Sequence, residues 1–365
     1  MDKEQQILHH IKMNPYISQQ DLSQKVGLSR PAVANYIANL TRTGVIKGRG
    51  YILREESSII CIGGANIDRK ARSDQKVRLY SSNPVKMAEV CGGVARNFAE
   101  NISRLGLNAS LITCIGDDRE GNWILEETKS QGVDVSQVWV LPTERTGTFT
   151  TLLDLDGESI VSMADMNIYE KLTPSMFEEK WSHIAASKAV YLDTNIPKDC
   201  ISYLINRCND ECIPLYIDTV SSAKAKKLPI RLDGVELLLP NKDEAEMLAE
   251  TKIDSINDCQ TACEKISQLG VKNVIITLGD HGVYYFSPEE SGHLPPIQTD
   301  IVDVTGAGEA FASCTIYGIM NNEPLVRACQ LGLAGAALTL QSEKSISPML
   351  KPERIHELVE EYASQ

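Results

Sequence analysis

Two periods of apolar residues divide this chain. In residues 1–55 the apolar positions recur every three or four residues. Ile7, Leu8 and Ile11 share one face of a helix over residues 3–13, which Asn14-Pro15 ends. Ser18 stands three residues ahead of the carboxylate of Asp21, a capping-box-like start for a second helix that runs to Val26 and stops at Gly27. Ser29 and Pro31 open a third helix, with Val33, Tyr36, Ile37 and Leu40 on one face and Gly44 at its end. Residues 45–53 then read as a hairpin with a basic tip at Lys47 and Arg49.

From Ser57 onward the apolar residues come in short unbroken runs, at 59–62, 109–115, 188–193, 213–218, 235–239 and 273–278. Helical patterns separate them, among them one through Leu105 and one from about Gly121 to Gln131. Such runs are strands buried on both faces, and their alternation with helices predicts a doubly wound, mostly parallel α/β sheet. Ligands of such sheets sit beyond the C-terminal strand ends, where Gly, Asn and Asp collect in this chain. Residues 146–162 differ: Asp156-Gly157 is a hairpin signal between alternating strands. Together with the polar, extended stretch 67–90 they are expected to form a small sheet acting as a lid. An edge hairpin of the main sheet would give the same pattern.

A length of 365 residues favours two domains, placed at 1–55 and 56–365 with lid segments near 67–90 and 146–165. Charge sharpens that division. Residues 1–55 hold eight Lys and Arg against four Asp and Glu, whereas the remainder holds 28 against 45. A basic head on an acidic body calls for an anionic partner for the head alone. No apolar run approaches the roughly 20 residues of a membrane span, and the polar N-terminus lacks a signal peptide's apolar region. A cytoplasmic protein without membrane contact is expected. The ten cysteines are scattered without a Cys-x-x-Cys, which reads as reduced, buried thiols, and the six histidines form no ligand-like cluster.

Candidate chemistry concentrates at Asp303-Val304-Thr305-Gly306-Ala307-Gly308-Glu309, followed by an apolar run that reads as a helix. The glycine turn lies at a helix N-terminus, where unpaired N–H groups suit a phosphate or a developing phosphoryl charge. Glu309 lies beside that anion as an acceptor for the proton of an attacking hydroxyl. A plain loop-to-helix turn would use the same glycines.

The order of four motifs narrows the reading. Gly92-Gly93 with Asn97, Asn241-Lys242-Asp243-Glu244, Thr277-Leu278-Gly279 and Asp303-x-Thr305-Gly306-Ala307-Gly308 together resemble the ribokinase-like (PfkB) carbohydrate kinases over roughly residues 57–360. Within that family, Ala65-Asn66-Ile67-Asp68, Ser82-Asn83-Pro84, Gly92 to Asn97, Asp165 to Ile168 and Asp218 to Ser221 look like the pseudouridine kinases. The head resembles the winged helix-turn-helix of bacterial regulators, a fusion that also occurs in that group. The expected fold is thus a ribokinase-like sheet with a small β lid behind an N-terminal winged helix-turn-helix.

The resemblance implies ATP-dependent phosphorylation of the 5′-hydroxyl of pseudouridine, with Mg2+ and K+ as further cofactors. Glu309, Gly306, Ala307 and Gly308 would form the catalytic centre. Asn66, Asp68, Gly92, Gly93 and Asn97 would clamp the ribose, with Asn167 and Asn195 as base or lid contacts. Asn241, Thr277, Gly279 and Gly282 would face ATP, and Glu244 would organise magnesium through water. Asp303 and Thr305 would lie near a monovalent cation. On DNA, the third helix would enter the major groove, with Ser29, Arg30, Asn35, Arg42, Lys47 and Arg49 as contacts. A homodimer is expected.

One departure bears on activity. The family's base is an aspartate, and this chain has Glu309. The extra methylene moves the carboxylate on the order of 1.5 Å, and misplacements near 1 Å can cost about 100-fold. Two other readings therefore stand beside the enzyme: a nucleoside-sensing transcription regulator, and a kinase of another nucleoside or sugar.

Overall fold

The computed structural model describes residues 2–13, 17–46 and 58–363. In the head, three helices, α1 (Lys3–Met13), α2 (Gln19–Val26) and α3 (Arg30–Arg42), follow the apolar periodicity. Their starts are set by hydroxyl caps: Ser18 accepts from the Asp21 N–H and Ser29 from the Ala32 N–H. Gly27 ends α2 with a left-handed φ of 64°. Ile7, Ile11, Leu22, Val33, Ile37 and Leu40 close a small core. The hairpin expected at 45–53 lies, beyond Ile46, outside the described residues.

The body is built on an eight-stranded sheet. Its strands are β1 (Ser58–Ile62), β4 (Asn108–Ile112), β9 (Ala189–Asp193), β10 (Leu215–Asp218), β11 (Val235–Leu239), β12 (Asn273–Thr277), β13 (Val283–Phe286) and β14 (Ser291–Leu294). Their order is β14-β13-β12-β11-β10-β9-β1-β4. From β4 to β12 the neighbours are parallel, and β13 and β14 add an antiparallel edge. Side chains alternate between two cores. Ile60, Ile62, Val190 and Leu192 enter one, Ile59, Cys61 and Tyr191 the other. Helices cover both faces, which is why the strands read as unbroken apolar runs. The run 109–115 is not one strand. It breaks at Thr113, and β5 (Cys114–Gly116) leaves the main sheet to pair with β6 (Trp139–Leu141).

The lid is a separate four-stranded sheet in the order β3-β2-β7-β8. It comprises β2 (Asn66–Arg72), β3 (Lys86–Gly92), β7 (Thr148–Leu153) and β8 (Ser159–Asp165). Strand β2 pairs antiparallel with β3 and parallel with β7. Gly157, at φ 87°, supplies the turn between β7 and β8. Strand β2 leaves β1 directly, so the lid hangs over the C-terminal end of the main sheet. No helix among the described residues is long and apolar enough to cross a membrane. All ten cysteines are free thiols and only Cys212 is exposed.

The floor under the lid is held by an aromatic stack. Phe98, on the helix Val94–Arg104, lies face to face with Tyr191 of β9 at 3.6 Å between ring centroids and 2° between planes. Phe98 is completely buried. Truncation there removes both transfer energy and packing. Phe98→Ala is expected to destabilise the body by about 3–5 kcal/mol, read as a lower urea midpoint with an unchanged denaturant slope.

Candidate active site

The site begins where β1 and β9 end side by side. Asp193, the last residue of β9, is fully buried. Its Oδ2 accepts the N–H groups of Gly64, at 2.8 Å, and Ala95, at 2.9 Å; its Oδ1 accepts that of Asn195 at 2.8 Å. Burial raises the carboxyl above its usual range while these donors pull it back. The glycines there leave room for it: a Cβ on Gly63 would stand 2.2 Å from the Asp193 carboxylate. A second clamp acts on the next residue. The buried Tyr169 hydroxyl accepts from Ala65 N and donates to Ala65 O. Asp193 and Tyr169 were not singled out from the sequence. A carboxylate closing the apolar run 188–193 was the one available signal for the first.

This frame presents the residues expected to clamp a ribose. Asn66 donates its amide to Asp68 Oδ1 at 2.7 Å, and Gly92 lies against the other oxygen, where a Cβ would approach within 2.0 Å. Gly93, at φ 102°, turns the chain into the helix Val94–Arg104. On that helix Asn97 accepts from the buried Arg96 guanidinium and donates Nδ2 to Glu309 Oε1 at 3.3 Å. Arg96 is itself paired with buried Glu100 at 2.6 Å and bonded to Cys91 O of the lid. Asn97 is thus oriented, with its donor aimed at the candidate base. Asn66, Asp68, Gly92, Gly93, Asn97 and Glu309 are brought together here.

Glu309 lies in the first turn of the helix Ala307–Met320. Desolvation raises its carboxyl, the backbone N–H and Asn97 lower it, and Asp68 and Asp193 add like-charge repulsion. Gly306 caps the helix at φ 86°, with its α-carbon so close to Ser345 O that a Cβ would stand 1.9 Å away. No side chain caps this end, and Gly308 faces open space. Ala307 N bonds Val304 O at 3.4 Å and the Glu309 carboxylate takes a backbone N–H, so the open backbone at Gly308 is what this helix end presents to an anion.

Beside it lies a cavity of about 190 Å³, lined among others by Asp218, Val220, Asn241, Glu244, Thr277 and Glu309. Asn241 and Glu244 form a reciprocal capping box: the Asn241 side chain accepts from Glu244 N, and Glu244 accepts from both Asn241 nitrogens and from Thr219. Glu244 is buried. Thr277 pairs beside Asn241, and Gly279 and Gly282, both at positive φ, close the turn after β12. Val220 sits at φ 60°, a costly geometry for a β-branched residue, at the cavity wall. Its N–H is held by Asp218. Asp218, at the end of β10, is pushed up to about 7 by burial and by the charges of Glu309, Asp193 and Glu244.

Four predicted residues lie apart from this group or have other partners. Asn195 is buried against Gly64, and its side-chain oxygen accepts from Lys224. Asn167 is exposed on the 3-10 turn Asn167–Lys171 that follows β8. Asp303 and Thr305 are engaged by Lys70 of the lid, whose ammonium is 2.6 Å from Asp303 Oδ2 and 3.3 Å from Thr305 Oγ1. Among the described residues no cluster of three or more His, Cys, Asp or Glu is arranged as a metal cage. The acidic cavity fits a hydrated magnesium arriving with phosphates, with Glu244 and Asp218 as outer partners. In the head, Ser29, Arg30, Asn35 and Arg42 are exposed along α3, and Arg42 also bonds Asn39. Lys47 and Arg49 lie outside the described residues.

Comparison with known proteins follows the same division. Residues 56–352 match the family described as pfkB family carbohydrate kinase, and residues 2–47 match winged helix-turn-helix DNA-binding. An uncharacterized sugar kinase of Escherichia coli, YeiI, is 30% identical over 98% of this chain and 99% of its own length. The pseudouridine kinase of E. coli is 32% identical over 84% of this chain and 98% of its own. The crystal structure of a putative sugar kinase from Clostridium perfringens superposes with a TM-score of 0.75, at 27% identity, over 84% of this chain and 96% of that one.

The raised carboxyl of Asp218 gives a pH signature. Its folded pKa of about 7 lies above the ordinary 3.8. Its neutral form therefore favours folding below 3.8, and that contribution is lost as pH rises through about 7. Asp218→Asn should match wild type in thermal stability near the lower value and gain on it steadily up to neutrality. A constant difference across that window would mean that Asp218 does not titrate there.

Proposed function

The chain belongs to the pfkB family of carbohydrate kinases, and from that premise we propose that it transfers the γ-phosphoryl group of ATP to the 5′-hydroxyl of pseudouridine. The observation that carries this reading is the Asn97–Glu309 hydrogen bond, which joins the sugar clamp to the anion hole across 212 residues of sequence. Asp68 and Asn66 would hold the ribose hydroxyls and leave the 5′-oxygen facing Glu309. Glu309 takes the hydroxyl proton as the oxygen bonds to the γ-phosphorus and the bond to the β–γ bridging oxygen breaks, releasing ADP. The N–H groups at the start of Ala307–Met320 stabilise the charge on the transferring group. Magnesium, bound with the ATP phosphates and held through water near Glu244, would supply charge neutralisation. The 32% identity with a pseudouridine kinase supports the choice of nucleoside, as does the resemblance of residues 65–68 and 92–97 to that group.

A panel of pseudouridine, uridine, ribose, adenosine and inosine with ATP, read both as product and as thermal shift, tests the substrate. Pseudouridine should be preferred in both. Glu309→Gln should lower kcat by at least about 100-fold with little change in pseudouridine binding. Glu309→Asp should turn over faster than wild type, because the shorter side chain restores the usual reach. Equal rates would remove any penalty from the longer one.

A second reading follows from the same residue and the head. A nucleoside-sensing regulator needs binding without turnover, and α3 presents Arg30 and Arg42 to solvent. Binding of pseudouridine without product would favour it. We propose DNA binding by the head under either reading, and a homodimer; exposed Ile160, Val161 and Met163 on β8 support an association through the lid. Replacing Arg30 and Arg42 together by Ala should reduce the salt dependence of DNA affinity by about two counterions' worth of slope, measured by electrophoretic shift at several salt concentrations.

A further inference from the structure

Lys70 occupies a position for which the proposed mechanism has no role. It stands on β2 two residues after Asp68, so both side chains leave the same face of the strand. Both line one cavity with Thr305. Its ammonium meets Asp303 and Thr305 across 233 and 235 residues of sequence. Asp303 Oδ1 accepts from Thr305 N at 2.9 Å and from Thr305 Oγ1 at 2.7 Å. That bonding fixes the loop immediately before Gly306. The carboxylate is fully committed: one oxygen shapes the loop and the other carries the lysine. These are the two residues for which the family resemblance implies a nearby monovalent cation. The site as built does not fit an added one, because a cation of the chain itself already neutralises the carboxylate.

We propose that Lys70 is a tethered substitute for a monovalent cation at the Asp303–Thr305 loop. It positions the anion hole and makes that loop independent of potassium. An ammonium carries the same unit charge as potassium and a comparable radius, and three N–H donors replace ion–oxygen contacts. The two differ in what controls them. A dissolved cation answers to its concentration, whereas Lys70 arrives with the lid. Loop order is thereby linked to the same strand that carries Asp68. The ion pair is partly solvated, with side-chain exposures of 40% for Lys70 and 25% for Asp303, so its consequence is loop geometry more than overall stability. The lysine holds the Asp303 carboxyl below its usual range, as such a pairing requires. Lys70 is a positioning residue, since it acts through the loop and touches no reacting atom.

The inference rests on the phosphotransferase reading but not on the choice of nucleoside, and its test does not depend on turnover. Wild type and Lys70→Met, which keeps most of the aliphatic stem, are melted in potassium and in choline chloride at matched ionic strength, with and without ADP and magnesium. Wild type should melt identically in the two salts. Lys70→Met should gain about 2–4 °C specifically in potassium, and bind ADP more tightly there. Adding Asp303→Asn to Lys70→Met should abolish that gain. Where turnover is measurable, potassium should change the wild-type rate less than twofold and restore at least tenfold to Lys70→Met. A potassium-specific shift in wild type, or none in Lys70→Met, overturns the proposal. Failure of pseudouridine as substrate leaves these melting comparisons intact.

Discussion

The buried carboxylate of Asp193 is the constraint on which the site depends. It gathers three N–H groups from three separate segments: the end of β1, the turn after Gly93 and the end of β9. Without a carboxylate there, three buried donors would lack partners, a cost the protein cannot leave uncompensated. With it, Gly63 and Gly64 are forced close, and Ala65 is set for Tyr169 to grip. The strand β2 therefore departs in one direction only, and the lid inherits that direction. Asn97 follows because Ala95 is fixed two residues before it.

Charge imposes the second constraint. Asp193, Asp218, Glu244 and Glu309 lie near one another at the ends of parallel strands and at two helix starts. Burial and then the charges of Glu309, Asp193 and Glu244 raise Asp218, and burial with the charges of Asp68 and Asp193 raises Glu309. Such a cleft disfavours a bare polyphosphate and favours one that brings its own cation. The helix start at Ala307 then offers a local positive end within an acidic surround. Under the proposed reading the anion would lie at the helix start and the cation beside Glu244 and Asp218, so that one cavity would serve a metal-bound nucleotide.

Much of this was legible in the sequence, for a physical reason. Strands buried on both faces leave unbroken apolar runs, so β1, β9, β10, β11 and β12 stood out. The head was readable because its hydroxyl caps and Gly27 act within four residues of where they occur. Gly306 was readable because few residues tolerate its backbone. The contacts that organise the site were not, because they join residues far apart in the chain: Asp193 with Gly64 across 129 positions, Tyr169 with Ala65 across 104 and Lys70 with Asp303 across 233. Periodicity cannot report such pairs. Asn241 and Glu244 show an intermediate case. Their spacing identified the motif, while only the structure shows that the two side chains satisfy each other. The break at Thr113 was hidden because both halves of that run are buried.

Strand β2 carries Asn66, Asp68 and Lys70 at alternate positions, and it is bonded on both sides, to β3 and to β7. A pleated strand turns every second side chain to one face. Insertion or loss of a single residue between Asn66 and Asp68 would thus turn both Asp68 and Lys70 to the other face at once. The proposed sugar clamp and loop cation would fail together, although no side chain had been changed. The connection between residues 73 and 85 bears no such restriction. Length variation among descendants of this sequence should accumulate there and be purged from the strand, so that the spacing of three polar residues becomes an inherited ruler.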